Sequence, residues 1–156
     1  MKSKLLVWLL DLLYPPRCML CHRLIEAKSA PVCAKCMEAL PEHDGAERHV
    51  DGAAHCVVTF FYEGTLRDGF LRYKFEGRQW YARQFGAWLA VTVRDKLTGK
   101  FDLVTWVPVS RKRRRTRGYD QAELLCRETA RELGMQPLLT LEKCTDNRAQ
   151  SSLTGA

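Results

Sequence analysis

Residues 101–134 read FDLVTWVPVSRKRRRTRGYDQAELLCRETARELG, and the rest of the chain is organised around them. Phe101 to Val107 is a short run of β-branched and aromatic residues, the composition of a buried strand. Pro108 ends it, because proline has no N–H to give to a ladder. Ser110 to Gly118 is expected to be a loop carrying Arg111, Lys112, Arg113, Arg114, Arg115 and Arg117. From Asp120 the period becomes helical: Tyr119, Ala122, Leu125, Thr129 and Leu133 recur at three- and four-residue steps and give one mostly apolar face. Asp120 suits the N-cap, with Glu123 completing a variant capping box, and Gly134 suits the stop. Strand, cationic loop and helix start together form a phosphate-binding arrangement. The helix start offers free N–H groups and the positive end of its dipole, and arginines add forked donors.

Working outward, the 156 residues suffice for one ordinary domain, or a small module plus a domain. Hydrophobic content of 46% and charged content of 28% are those of a globular protein. The net charge is +7, but six cations lie between Arg111 and Arg117, which leaves the rest of the chain at +1. Basicity this local favours a site for anions over a surface that coats nucleic acid.

Upstream, His55 to Tyr62 (HCVVTFFY) reads as a strand and Glu63-Gly64 as a turn. Thr65 is placed to cap a short helix with Leu66, Phe70 and Tyr73 on one face, reaching Phe75. A longer helix is expected from about Gln79 to Lys96, burying Tyr81, Phe85, Trp88, Leu89 and Val93. A strand then a helix, repeated, is the pattern of an α/β layer architecture with a largely parallel sheet. Cys126 reads as a small core residue and Cys144 as a loop thiol, while Lys74 fits a solvent-facing helix lysine and a functional residue equally well. From Leu141 the chain is polar and aperiodic, an extended loop.

Nearer the start, Cys18-x-x-Cys21 and Cys33-x-x-Cys36 are four of seven cysteines, and eleven residues separate the pairs. Each pair can turn two thiolates toward one ion, and two such turns complete a tetrahedron around zinc. Four cysteines leave no open coordination position, so the expected ion is structural. A module this small has little core, so the metal supplies most of its folding energy, about 10–16 kcal/mol in zinc-finger peptides. A short helical turn over Met37 to Leu40 closes the module. His22, His43, His49, His55 and Cys56 are alternative ligands by type, but their spacing is irregular and ordinary surface or core roles fit them better. The opening residues, MKSKLLVWLLDLLYPP, imitate a signal peptide. Asp11 interrupts the apolar run, no small-x-small site follows, and the run is too short to span a bilayer. An amphipathic helix ending before Pro15 is expected, in a cytoplasmic protein with no membrane span. The domain reading is 1–43 for the N-terminal helix and zinc module, 44–54 for a linker, and 55–156 for the second domain.

With these motifs in order, the chain resembles the ComF family of competence-associated, phosphoribosyltransferase-like proteins. The matching pieces are LYPPRCMLC, VCAKC, YEGTLRDGFLRYKFEG, VPVSRKRRRTRGYDQAELL and TDNRAQSSL. That family usually has Asn where this chain has Asp120. The resemblance implies a small four-cysteine zinc module followed by a type I phosphoribosyltransferase, Rossmann-like domain. In such a domain, 5-phosphoribosyl-1-pyrophosphate is gripped by a loop matching Val109 to Gly118, with Ser110, Arg111, Arg115, Arg117, Gly118 and Gln121 as its binding residues. A hood loop would match Lys143 to Leu153, with Arg148 and Gln150. Mg²⁺ would accompany the pyrophosphate, as an oxygen-seeking cation. The paired acids and Thr-Thr-Gly turn that hold the 5′-phosphate in such domains are not present in the sequence, so a C-terminally shortened domain with little turnover is expected. The alternative is a non-enzymatic accessory of DNA uptake that binds single-stranded DNA or a helicase-like partner.

Overall fold

The computed structural model describes residues 13–25, 30–43 and 47–145. Residues 1–12 of the expected N-terminal helix lie outside them, as do Arg148 and Gln150. Packing divides the chain between Arg72 and Tyr73, within one helix.

In the first unit, residues 13–25 fold into a turn around Cys18. Cys18 N donates to Arg23 O at 2.8 Å and His22 N to Cys18 O at 2.9 Å, and Arg17 and Leu24 form an antiparallel bridge. His22 takes a positive φ of 63°, which lets the chain reverse directly after Cys21. Helix α1, Ala34–Glu38, has Cys33 at its N-cap. It starts three residues before the helical turn expected at Met37. Residues 41–43 then meet 59–61: Phe61 N donates to Pro41 O at 2.8 Å and Glu42 bridges Phe60. Helix α2, Gly64–Phe75, begins at a glycine with a φ of 53° and lays its first two turns on the cysteine turn. A Cβ on Gly69 would come within 2.7 Å of Leu20 Cδ2 and 3.2 Å of Met19 O, so glycine lets the helix come this close without displacing the Leu20 side chain. Arg72 Nη2 donates to Leu20 O, and Leu66, Met19 and Leu20 are fully buried there.

The second unit holds α3, Tyr81–Leu97, α4, Arg111–Arg117, and α5, Gln121–Leu133. Helix α3 buries Tyr81, Ala82, Phe85, Gly86 and Ala90, a stripe at helical spacing. Trp88, Leu89 and Val93, also expected inside, are half-buried. Helix α3 packs on α5 through Gly86, where an added Cβ would stand 2.6 Å from Glu128 Cβ and 2.9 Å from Thr129 N. On α5 the face met by Gly86 carries Glu128 and Thr129. Its buried residues are Gln121, Cys126, Thr129 and Ala130, whereas Ala122, Leu125 and Leu133 are only half-buried.

The expected sheet is not formed among the described residues, whose β structure is limited to isolated bridges. The 55–62 strand is reduced to the Phe60 bridge, and the 101–107 strand to a parallel bridge between Val104 and Pro137. The reason is partnership. Pro137 has no N–H, so this contact rests on Leu138 N donating to Val104 O at 3.0 Å. The composition of 101–107 is strand-like, but a strand needs a neighbour that can complete the ladder. What the chain shows is a four-cysteine module followed by a mostly helical unit.

Candidate functional site

The four thiols meet because two short turns face each other. The Sγ atoms of Cys18, Cys21, Cys33 and Cys36 all lie within 4.8 Å of one another, and Cys21 and Cys33 are 3.8 Å apart. A disulfide would need about 2.0 Å. A tetrahedral zinc–thiolate site, with bonds of about 2.3 Å, has sulfur–sulfur edges of about 3.8 Å. The donor set therefore fits zinc. Cys18 and Cys36 are buried, and four sulfurs leave no open position for a reacting molecule, so the site is structural.

The surroundings already treat the thiols unequally. Burial works against ionising Cys18, but N–H groups of Cys21, Cys33 and Leu20 outweigh it and bring the thiol down to about 7. One of these is Cys33 N, 3.4 Å from Cys18 Sγ. Burial, followed by the thiols of Cys21 and Cys33, pushes Cys36 up to about 12, although Thr65 hydrogen-bonds it and acts in the opposite sense. Thr65 is therefore more than a helix start. Its hydroxyl gives a metal ligand an outer partner, a role that its position in the sequence does not disclose. The histidines are engaged elsewhere. His43 lies with its ring centre 4.8 Å from that of Phe61, tilted by 40°, and meets Arg48, His55 meets Glu47 at 3.1 Å, and His49 meets Asp51 at 3.2 Å.

The second candidate is the arginine run, and here the expected loop is a helix. Ser110 is buried; its Oγ accepts from Arg113 N at 3.3 Å and caps α4. Gly118, with a φ of 78°, ends α4 by donating to Arg114 O at 2.9 Å. A cap at each end is the local signal that makes the run helical. Helical spacing puts Arg111 and Arg115 side by side, with Arg117 turned away by about 120° or more. Exposure agrees: Arg111, Lys112, Arg114 and Arg115 are exposed, while Arg113 and Arg117 are half-buried. The structure thus joins two of the three candidate arginines and parts the third from them.

Among the described residues, Glu142 and Glu123 pair with cations of this run. Glu142 lies 3.3 Å from Arg111, and Glu123 lies 3.4 Å from Arg114 and 2.9 Å from Arg127. Lys112 and Arg115 have no ion-pair partner among the described residues. The start of α5 is filled by its own cap. Asp120 Oδ1 accepts from Ala122 N at 2.9 Å and Glu123 N at 3.1 Å, and Oδ2 accepts from Val109 N at 2.8 Å. A ligand phosphate at that helix start would displace a carboxylate that is 3% exposed, so the N–H groups expected to receive it are already used. Gln121, in the first turn of α5, accepts from Arg117 Nη1 at 2.9 Å and donates to Lys74 O at 3.2 Å. Beside it stands Phe75, with the Arg117 guanidinium carbon 5.2 Å from its ring centre. Phe75 is legible in the sequence only as the end of a helix, because 42 positions separate it from Arg117.

Residues 9–47 match the double zinc ribbon domain family. Neither the curated proteins nor the solved structures compared give a match. No helix among the described residues is long and apolar enough to cross a membrane.

Proposed function

We propose that this chain is a zinc-ribbon protein of the ComF type that binds phosphoribosyl pyrophosphate, through its pyrophosphate, on the exposed side of α4. The observation that carries this reading is the charge arrangement of α4. Six of its seven residues are cations, and five pairs of them stand three or four positions apart. Each like-charged pair at that spacing destabilises a helix by about 0.2–0.5 kcal/mol. Cations in the first turn also oppose the helix dipole. A segment that keeps such repulsion on its surface is served by an anion that removes it. Arg111 and Arg115, adjacent on the exposed side, match a diphosphate in charge and in forked donor geometry. Mg²⁺ would arrive with the pyrophosphate rather than on a dedicated protein cage. The proposal concerns binding of the ligand on α4.

Calorimetric titration with pyrophosphate and with magnesium phosphoribosyl pyrophosphate tests it. Binding should be lost in an Arg111→Ala, Arg115→Ala double variant. Absence of binding by the unmodified chain at millimolar ligand would sink it.

A second reading is single-stranded DNA, as in a DNA-uptake accessory. It is favoured by the distribution of cations on both sides of α4 instead of around one cradle. Polyphosphate binding releases counterions, so DNA affinity should fall steeply with salt. Affinity indifferent to salt would argue against it.

A further inference from the structure

Phe75 ends α2 on the surface and is 61% exposed. The groups over its ring are charges: the Arg117 guanidinium carbon at 5.2 Å and Lys74 Nζ at 5.4 Å from the ring centre. The cluster is built rather than incidental. Gln121 is buried, and its one amide takes an N–H from Arg117 and gives one to Lys74 O, at 2.9 and 3.2 Å. The same side chain therefore fixes both the arginine and the backbone that carries the aromatic. Arg117 has five N–H donors, of which Gln121 uses one, so its fork retains donors for a phosphate. Lys74 rides on a flexible stem and can leave the ring for an anion.

We propose that Phe75, Arg117 and Lys74 form a docking position for a nucleotide unit, with the base stacked on Phe75 and its phosphate held by Arg117 and Lys74. Base–aromatic stacking tolerates any base, because every base has a π-face. The phosphate part rests on the anion-binding reading of α4, whose last residue is Arg117. The base part does not. Tyr119, the aromatic next to the arginines in sequence, is buried at 5% exposure and so is not the stacking ring. Folding supplies the aromatic from α2 instead.

The test compares a fluorescein-labelled oligothymidylate of about fifteen nucleotides with an abasic oligomer of equal length, by fluorescence polarisation at fixed salt. The unmodified chain should bind the base-bearing oligomer more tightly. Phe75→Leu should weaken that binding about 5- to 150-fold while leaving the abasic oligomer unaffected. Phe75→Trp should retain it. Both variants alter an exposed side chain, and circular dichroism checks that they fold. Thymidine monophosphate, followed by NMR line broadening, separates the two sources of the ligand. Binding that is sensitive to Phe75 means a free nucleotide suffices, whereas binding by the oligomer alone means a strand is required; either supports the site. Equal affinity of the unmodified chain for both oligomers, or a Phe75→Leu variant equal to it, would overturn the proposal. Failure of pyrophosphate to bind, with base-dependent binding intact, would remove the phosphoribosyl reading and leave the base-stacking part of this one standing.

Discussion

Asp120 accepts from Val109 N at 2.8 Å, which ties the end of the extended 101–109 segment to the start of α5. Its other oxygen caps that helix, so one carboxylate sets the spacing between the two ends of the arginine helix that lies between them. The side chain is 3% exposed, so water cannot take its place at either N–H group. Asp120→Ala should therefore lose a helix cap, about 0.5–2 kcal/mol, and also leave the Val109 N–H without its partner, about 1–3 kcal/mol. A loss of about 1.5–5 kcal/mol in urea unfolding is expected from the two together. Asp120→Asn keeps one acceptor oxygen but turns an NH₂ toward a donor, and should fall between the two. An Asn variant as stable as the unmodified chain would show that one of the two contacts is dispensable.

Gly86 lets α3 and α5 touch, and that contact is expected to outweigh helix propensity. Replacing a mid-helix glycine by alanine ordinarily stabilises by about 1 kcal/mol. Here the new methyl would lie 2.6 Å from Glu128 Cβ and 2.9 Å from Thr129 N, neither of which is the end of a flexible side chain. Overpacking of this kind costs about 1–3 kcal/mol, so Gly86→Ala should lower the unfolding midpoint and Gly86→Val should lower it further. A raised midpoint for the alanine variant would mean that the helices separate without loss.

The double zinc ribbon match spans residues 9–47, and four cysteines lie within it, the ligands of one tetrahedral ion. Elemental analysis should give one zinc per chain and not two. Chelation should melt the region that packs on the cysteine turn, including the Gly69 contact of α2, because the turn has little core of its own. Cys36→Ser should reduce bound zinc and expose the Leu66 environment to proteolysis. Full zinc retention by that variant would remove Cys36 from the ligand set.

The zinc module is the most legible part of the sequence, because metal coordination needs only residue type and close spacing, and both pairs show it. Helices α3 and α5 are also legible from their period, and Gly134 ends α5 as its position implies, with a φ of 71°. Two features are not. The arginine run reads as a loop because charge density hides its two caps, Ser110 and Gly118, which together define a helix. Phe101 to Val107 reads as a strand because its composition is right, yet pairing depends on a distant neighbour, and the partner that folding provides is Pro137. Residue type is local information, whereas ladder partners and the Phe75–Arg117 contact are set by tertiary packing.

Alkaline solution should probe the buried tyrosines. Tyr73 donates its hydroxyl to Gln121 O at 2.6 Å, and Tyr119 donates to Tyr73 O. Burial raises the ionisation of both above the usual phenol range. The charges of Tyr119, Asp120 and Glu128 push Tyr73 further, while Gln121 and Arg117 oppose the rise at Tyr119. Unfolded phenols ionise near about 10. The folded values are raised, so the protonated hydrogen bonds contribute fully below about pH 10, and that contribution is lost as pH climbs through the folded values. Urea unfolding should weaken above about pH 10, and a Tyr73→Phe variant should show a shallower decline. Identical slopes for the two proteins would remove Tyr73 from the account.

Stability and ligand binding should pull in opposite directions on α4. Arg111 and Arg115 stand four residues apart with like charge, and Arg115 has no ion-pair partner among the described residues. Arg115→Glu would place an acid beside Arg111, replacing a repulsion of about 0.2–0.5 kcal/mol by an attraction of similar size. The variant should therefore melt at an equal or slightly higher temperature than the unmodified chain. The same change removes one of two forked donors on the exposed side, so pyrophosphate affinity should drop at least tenfold, which is about 1.4 kcal/mol. Thermal unfolding with and without pyrophosphate reads both effects at once. The ligand should raise the midpoint of the unmodified chain in proportion to occupancy, and raise that of the variant little. Equal ligand-induced shifts in the two proteins would place the anion elsewhere than between Arg111 and Arg115.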